Sequence, residues 1–293
     1  MKYKGIFLSD LSRNQLWDEF VNSPYPKWSS VCLLKYLGFR VLDAAFVNPK
    51  ATKLETCRIV DDFMKNIGVE KVLIRSDGGR EIGAYPQGGN SIDSNHIWEL
   101  VSMFQAANRA VILMQPTNRF TNKLVANLHL ISSGSFQIDI LGPGFDLGDL
   151  NRGLVNSEIS IFVTNISWNS YDPPSWFFTS HTINMISNLR QLRLTRIGKE
   201  LLPAIGINQI GSPDSFAESW LRLNSYIELL EDPRPTYSFR QISEMYENAF
   251  IVGVTYRQKV HWDNLVIGLS DLGDGADLIY WDIVNPKEKF VFK

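Results

Sequence analysis

The chain has 293 residues, 44% of them hydrophobic and 20% charged, with a formal net charge of −2. That length carries one large domain or two closely packed lobes with a sizeable core, and the near-neutral balance gives no bulk attraction for nucleic acid or an anionic membrane. The two cysteines, Cys32 and Cys57, fit no metal-ligand spacing and point to buried thiols in a reducing compartment. The apolar run at the N-terminus is too short for a signal peptide, and no stretch nears the ~20 apolar residues of a membrane span. A soluble, cytoplasmic protein is expected.

Taken in order, residues 3–9 suit a short strand, and Leu11 to Phe20 carries apolar residues at helical spacing up to the break at Ser23-Pro24-Tyr25-Pro26. The segment from Trp28 reads as a helix with Ser29 or Ser30 as N-cap and Gly38 as its stop. Phe39 to Val47 resembles a strand closed by Asn48-Pro49, and Lys53 to Ile67 shows a helical apolar stripe ended by Gly68. Val72-Leu73-Ile74 is a buried strand, Ser94 to Asn108 a helix, and Ala110 to Met114 a second buried strand. Leu124 to Ile131 and Gln137 to Leu141 read as paired strands around Ser132-Ser133-Gly134-Ser135, and Ile159 to Val163 as another. An aromatic loop spans Trp168 to Phe178. Helices are expected over His181 to Arg196, Ser215 to Leu230 and Ser238 to Phe250, then strands over Leu265 to Leu269 and Leu278 to Val284. No internal repeat or low-complexity segment is evident. Strands and helices mix throughout, which gives an α/β or α+β class.

Three constellations bear chemistry. The strand ending Arg75-Ser76-Asp77 runs into a stretch holding Gly78, Gly79, Gly83, Gly88 and Gly89, with Asn90 and Ser91 at its far end. Glycines let backbone N–H groups turn toward a phosphate, and a guanidinium forks onto its oxygens. The alternative is a surface loop, with Arg75 in a structural salt bridge. The second constellation is Asp139 with Asp146, Asp149, Asn151 and Arg152 among glycines; these would hold a divalent ion and an anion, or simply cap a turn. The third is Asp282 and Asn285, oxygen ligands of the kind Mg²⁺ accepts beside ATP phosphates, or else a solvent-facing Asp and a turn Asn. Positions three apart point to opposite faces of a strand, so both would serve only if the strand ends or bulges near Ile283. The histidines His96, His129, His181 and His261 are scattered without zinc spacing. Arg190, Arg193 and Arg196 are the one local basic run.

The segments KYLGFRVLDAAFVNP (35–49), VLIRSDGG (72–79) and AVILMQP (110–116), in that order, resemble the ATP-grasp superfamily. They are most similar to the ATP-binding part of pyruvate phosphate dikinase and phosphoenolpyruvate synthase. The resemblance implies an α+β fold of two lobes with mixed or antiparallel sheets, residues 1–115 and 116–293, enclosing ATP with Mg²⁺. It implies Arg75, Ser76, Gly88 and Gly89 at the phosphates, Gln115 beside adenine, Arg152 on phosphate or acceptor, and Asp282 and Asn285 on the metal. The family's acidic-x-Asn motif is here one residue longer, as Asp282-Ile283-Val284-Asn285. The implied activity is that of a ligase or phosphotransferase acting on a small-molecule or peptide acceptor. A binding or scaffold protein that keeps the fold without the chemistry is the alternative. Nucleic-acid processing is the third, carried only by the basic run.

Overall fold

The computed structural model describes residues 5–78, 92–117, 122–145, 147, 159–164, 183–187, 239–273 and 278–285. Residues 79–91, with Gly88 and Gly89, lie outside that set, as do Asp146, Asp149, Asn151, Arg152, the aromatic residues 168–178 and the expected helix at 215–230. The chain forms two compact units, Met1–Asn118 with Ile279–Lys293, and Arg119–Leu278.

In the first unit the elements are β1 (Ile6–Phe7), a 3₁₀ turn (Leu8–Asp10), α1 (Arg13–Asn22), α2 (Pro26–Tyr36), β2 (Ala44–Val47) and α3 (Lys53–Ile67). There follow β3 (Lys71–Asp77), β4 (Ile92–Asp93), α4 (Ser94–Ala106), β5 (Ala110–Met114) and, from the chain's end, β11 (Ile279–Val284). The sheet order is β1-β2-β5-β3-β4, with antiparallel pairings. β5 sits between β2 and β3 and is buried along its whole length, which is why AVILM is continuously apolar rather than alternating. Helix α3 starts at a reciprocal capping box between Thr52 and Glu55 and ends at Gly68, whose φ of +68° is the left-handed conformation that glycine adopts without a Cβ penalty. Its Ile59, Val60 and Phe63 pack with Ile97, Val101 and Phe104 of α4 over Val72, Ile74, Val111 and Leu113. Burying each large apolar side chain there contributes about 1.5–3 kcal/mol.

Helix α2 differs from the expectation. It begins at Pro26, not after Ser29 or Ser30, because proline at the first helical position gives up an N–H that has no intrahelical partner anyway. The two serine hydroxyls turn inward instead, Ser29 donating to Phe20 O and Ser30 to Pro26 O and Ile283 O. Every residue from Trp28 to Leu34 is buried, since α1, β3 and β11 all pack on this helix. Within the described part of the expected first strand only Ile6–Phe7 is strand, and Phe39 to Val47 is extended strand only over Ala44–Val47.

The second unit contains β6 (Leu124–Ile131), β7 (Ser135–Leu141), β8 (Ile159–Thr164), β9 (Ile183–Ser187), α5 (Phe239–Tyr256) and β10 (Asn264–Asp271). Its strands run β10-β6-β7-β8-β9, antiparallel throughout. The helix expected from His181 is overturned: Ile183–Ser187 pairs with β8, in line with the β-branched residues Thr182, Ile183 and Ile186 around it. Helix α5 outruns its expected end because buried apolar positions continue through Val252 and Val254 to Tyr256. One face of the sheet is apolar, with Leu128, Leu130, Phe136, Ile138, Leu265 and Ile267 all buried. The opposite face carries Asn127, His129, Gln137 and Asp139, the alternation of a two-faced antiparallel sheet. The fold class is α+β. Among the described residues no helix is long and apolar enough to cross a membrane.

Candidate functional site

The site grows from the end of β3. Alternation along the strand sends Val72 and Ile74 into the core. It puts Arg75 and Asp77 together on the other face, the one α2 and β11 approach. Arg75 Nη2 donates to Asp282 Oδ2 at 2.5 Å, with the Arg75 side chain 22% and the Asp282 side chain 6% exposed. Asp282 therefore does not face solvent: it lies within β11, buried, and is paired across more than two hundred residues of sequence. Asn285 is buried just past the strand's end at Val284, so strand alternation does not govern it.

Two residues on, Asp77 is buried at 2% exposure, and its Oδ2 accepts the Trp28 N–H of α2 at 2.8 Å. The preceding residue of α2, Lys27, reaches back so that its Nζ donates to Ser76 O at 2.7 Å. Lys27 is thus drawn among charges on several elements. Burial lowers its pKa to about 8, Arg75 and Arg109 push the same way, and the carboxylates of Asp77 and Asp282 oppose them. Burial raises the pKa of Asp77, against the pull of Lys27, of the Trp28 and Lys27 backbone N–H groups and of Arg75. Tyr25 is raised as well, by burial and then by Asp77. Gly78 follows at φ +66°, and a Cβ there would meet the Tyr25 ring at 2.9 Å, so tyrosine and backbone touch closely where the glycine-rich stretch begins. Among the described residues, three cationic and two anionic side chains act on one another here, a surplus of positive charge in a partly desolvated setting where Coulomb terms are large.

The structure brings together Arg75, Asp282 and, through its carbonyl, Ser76. Gln115 is elsewhere on the same sheet: its N–H donates to Asp43 O, three residues beyond Ile112, which pairs with Arg75. That is about 10 Å along the strand. Sequence reading missed Tyr25, Lys27 and Arg109, and named Asp77 only as the strand's last residue. One local signal existed. A lysine directly after the helix-starting proline stands at the positive end of the helix dipole, where cations are disfavoured unless an anion is near.

To ligate Mg²⁺ beside a nucleotide, Asp282 would have to share its carboxylate with Arg75. Asp282 is engaged by Arg75, and among the described residues no three His, Cys, Asp or Glu side chains gather to hold a metal.

In the second unit Asp139 finds partners that the sequence did not suggest. Gln137 Nε2 donates to both its carboxylate oxygens, at 2.8 and 2.9 Å, and His129 Nε2 lies 3.1 Å from Oδ2. The Asp139 side chain is 16% and that of His129 29% exposed, so this is a half-buried cross-strand group on the polar sheet face.

No protein-family profile matches the sequence, and no curated protein does. Among solved structures, the chain is similar over 86% of its length to the D-cycloserine synthetase DcsG, at 11% identity and a TM-score of 0.36. Over the same share it is similar to the macrocyclase MdnC of Microcystis aeruginosa MRC bound with precursor peptide MdnA, at 7% identity and TM-score 0.30. A Chryseobacterium gregarium RiPP-associated ATP-grasp ligase, in complex with ADP and a leader and core peptide, gives 10% identity and TM-score 0.32. The matches cover 59%, 50% and 49% of those chains, so this chain spans about half of their length. Likeness this weak assigns neither a family nor an activity.

Proposed function

We propose that the first unit binds ATP in the manner of an ATP-grasp protein, with the phosphates received by Lys27, Arg75 and Arg109 at the end of β3. The observation that carries this reading is the half-buried cation cluster itself. Three basic side chains converge on one strand end, two carboxylates brace them, and a glycine-rich sequence follows. A preformed surplus of positive charge in a desolvated site favours a polyanion, and guanidinium and ammonium contacts to phosphate are charge-assisted. In this reading Gln115, about 10 Å along the sheet from the Arg75 register, lies beside adenine. Gly88, Gly89 and Arg152, which the resemblance names for the same phosphates, lie outside the described residues.

The reaction we propose is that of a ligase or phosphotransferase. The γ-phosphoryl group of ATP passes to a carboxylate of a small-molecule or peptide acceptor. ADP leaves, and a nucleophile then attacks the acyl carbon of the resulting acyl phosphate, forming the new bond as the C–O bond to phosphate breaks and inorganic phosphate departs. Here the chain's residues act through position and charge: Lys27 and Arg75 hold and neutralise the transferring group, which is where phosphoryl transfer gains most. No step is assigned to a protein-held Mg²⁺. The engagement of Asp282 by Arg75 supports a second reading, a nucleotide-binding protein that keeps the fold without the chemistry.

ATP titrated with and without Mg²⁺ against thermal unfolding tests binding. At ~100 times its dissociation constant a ligand stabilises the fold by about 2.7 kcal/mol. Lys27→Met and Arg75→Lys are expected to abolish or sharply reduce the shift. If no nucleotide moves the transition of the wild type, the reading is wrong.

A further inference from the structure

The cluster holds a carboxylate that phosphate binding does not by itself call for. Asp77 faces the first turn of α2, where the N-cap residue Tyr25 offers no side-chain cap. Asp77 takes that role from another element: its Oδ2 accepts the Trp28 N–H at 2.8 Å. Lys27 is therefore held on two sides, by the Asp77 cap on the neighbouring Trp28 N–H and by its ammonium at Ser76 O, the carbonyl one residue before Asp77. Among the described residues, the charges around that ammonium come from β3, from β11 and from just before β5. Arg75 on β3 and Arg109 just before β5 repel it, Asp77 and Asp282 of β11 attract it, and Tyr25 faces Asp77. Asp282 is committed to Arg75, which leaves Asp77 as the carboxylate bound to the lysine's own turn of helix.

We propose that Asp77 is the positioning residue of this site: it fixes Lys27 at the start of α2 and keeps its ammonium charged to receive a phosphate. The role rests on the ATP-binding reading above. Next to two guanidiniums, and partly out of water, an ammonium holds its proton poorly unless a carboxylate stands beside it. Asp77 is buried, hydrogen-bonded to the helix and adjacent in sequence to the carbonyl that Lys27 touches, so its placement is rigid.

The test is calorimetric titration of Mg-ATP, whose phosphate charge changes little over the range, from pH 6.5 to 9.5. It compares wild type, Asp77→Asn, Asp77→Glu and Lys27→Met, each first shown to unfold cooperatively. Wild-type affinity is expected to fall as pH rises through about 8, where Lys27 loses its proton. Asparagine still offers an oxygen to the Trp28 N–H, so the cap persists while the charge is gone. Its profile should show the same fall displaced to lower pH by about one unit or more. Asp77→Glu should retain the wild-type midpoint, and Lys27→Met should bind weakly with no pH dependence in this range. An Asp77→Asn midpoint equal to that of wild type, or binding tighter than wild type at every pH, overturns the proposal while leaving the ATP reading intact. Should Asp77→Asn not fold, a displaced midpoint in Asp77→Glu overturns it instead. Absence of ATP binding by the wild type at every pH refutes the ATP reading, and the role of Asp77 with it.

Discussion

Two groups of polar and charged side chains invite comparison, one in each unit. In the first, Arg75, Asp77, Asp282 and Lys27 come from three elements, and both carboxylates lie under 10% exposed. In the second, His129, Gln137 and Asp139 come from two adjacent strands of one hairpin and remain partly open to water. The residue types are similar but the setting differs. Water screens the second group, while the first has exchanged its water for fixed partners. Charges become consequential where the fold removes solvent from them, and such places are where perturbed groups and binding sites coincide.

The contrast predicts graded costs. The largest should follow Arg75→Met, which leaves Asp282 buried without its guanidinium; breaking such a pair costs about 3–5 kcal/mol of unfolding free energy. Urea denaturation should show that loss, and adding Asp282→Leu should recover much of it, because the remaining charge is then removed too. If the double variant is no more stable than the single one, the cost does not arise from the stranded carboxylate.

A middle-sized effect should appear in the pH dependence around Lys27. Folded, it loses its proton near 8; unfolded, it keeps it to its ordinary value of 10.5. Between those values the unfolded chain binds more protons, so this group's contribution to stability rises with pH through that window. Wild type should therefore gain on Lys27→Met from pH 8 to 10.5 by roughly 2–3 kcal/mol, at about 1.36 kcal/mol per unit. Parallel stability curves for the two proteins would remove burial of Lys27 as the cause.

The smallest effect should come from Asp139→Asn. A half-exposed pair such as His129 and Asp139 is worth about 0.2–1 kcal/mol, and high salt should shrink the difference further. A loss as large as that of Arg75→Met would mean that this sheet face is far drier than its exposure implies.

Local pattern was enough for much of the chain. The apolar stripe of Lys53–Ile67 with Gly68 behind it, the unbroken apolar run of β5 and the hairpin around Gly134 each declare their element through short-range chemistry. It failed where neighbours in space overrode neighbours in sequence. Ser29 and Ser30 look like caps but serve carbonyls of other segments, and the stretch after His181 extends because β8 offers it a partner. Residues such as Arg75 were legible as candidates because a charged strand end before glycines is conspicuous. Lys27 and Arg109 were not, since nothing local ties a lysine in a first helical turn to a strand some fifty residues later.

The sequence by itself determined most of the described helices and strands, though not the strand at Ile183–Ser187, and that Arg75 and Asp282 are available for charge chemistry. Only the tertiary structure decided that Arg75 spends its guanidinium on Asp282, that Asp77 caps a helix it does not belong to, and that Lys27 lies among them. The reason is physical. Propensity and periodicity act over a few residues, whereas the strength of a charge depends on which distant segments exclude its water.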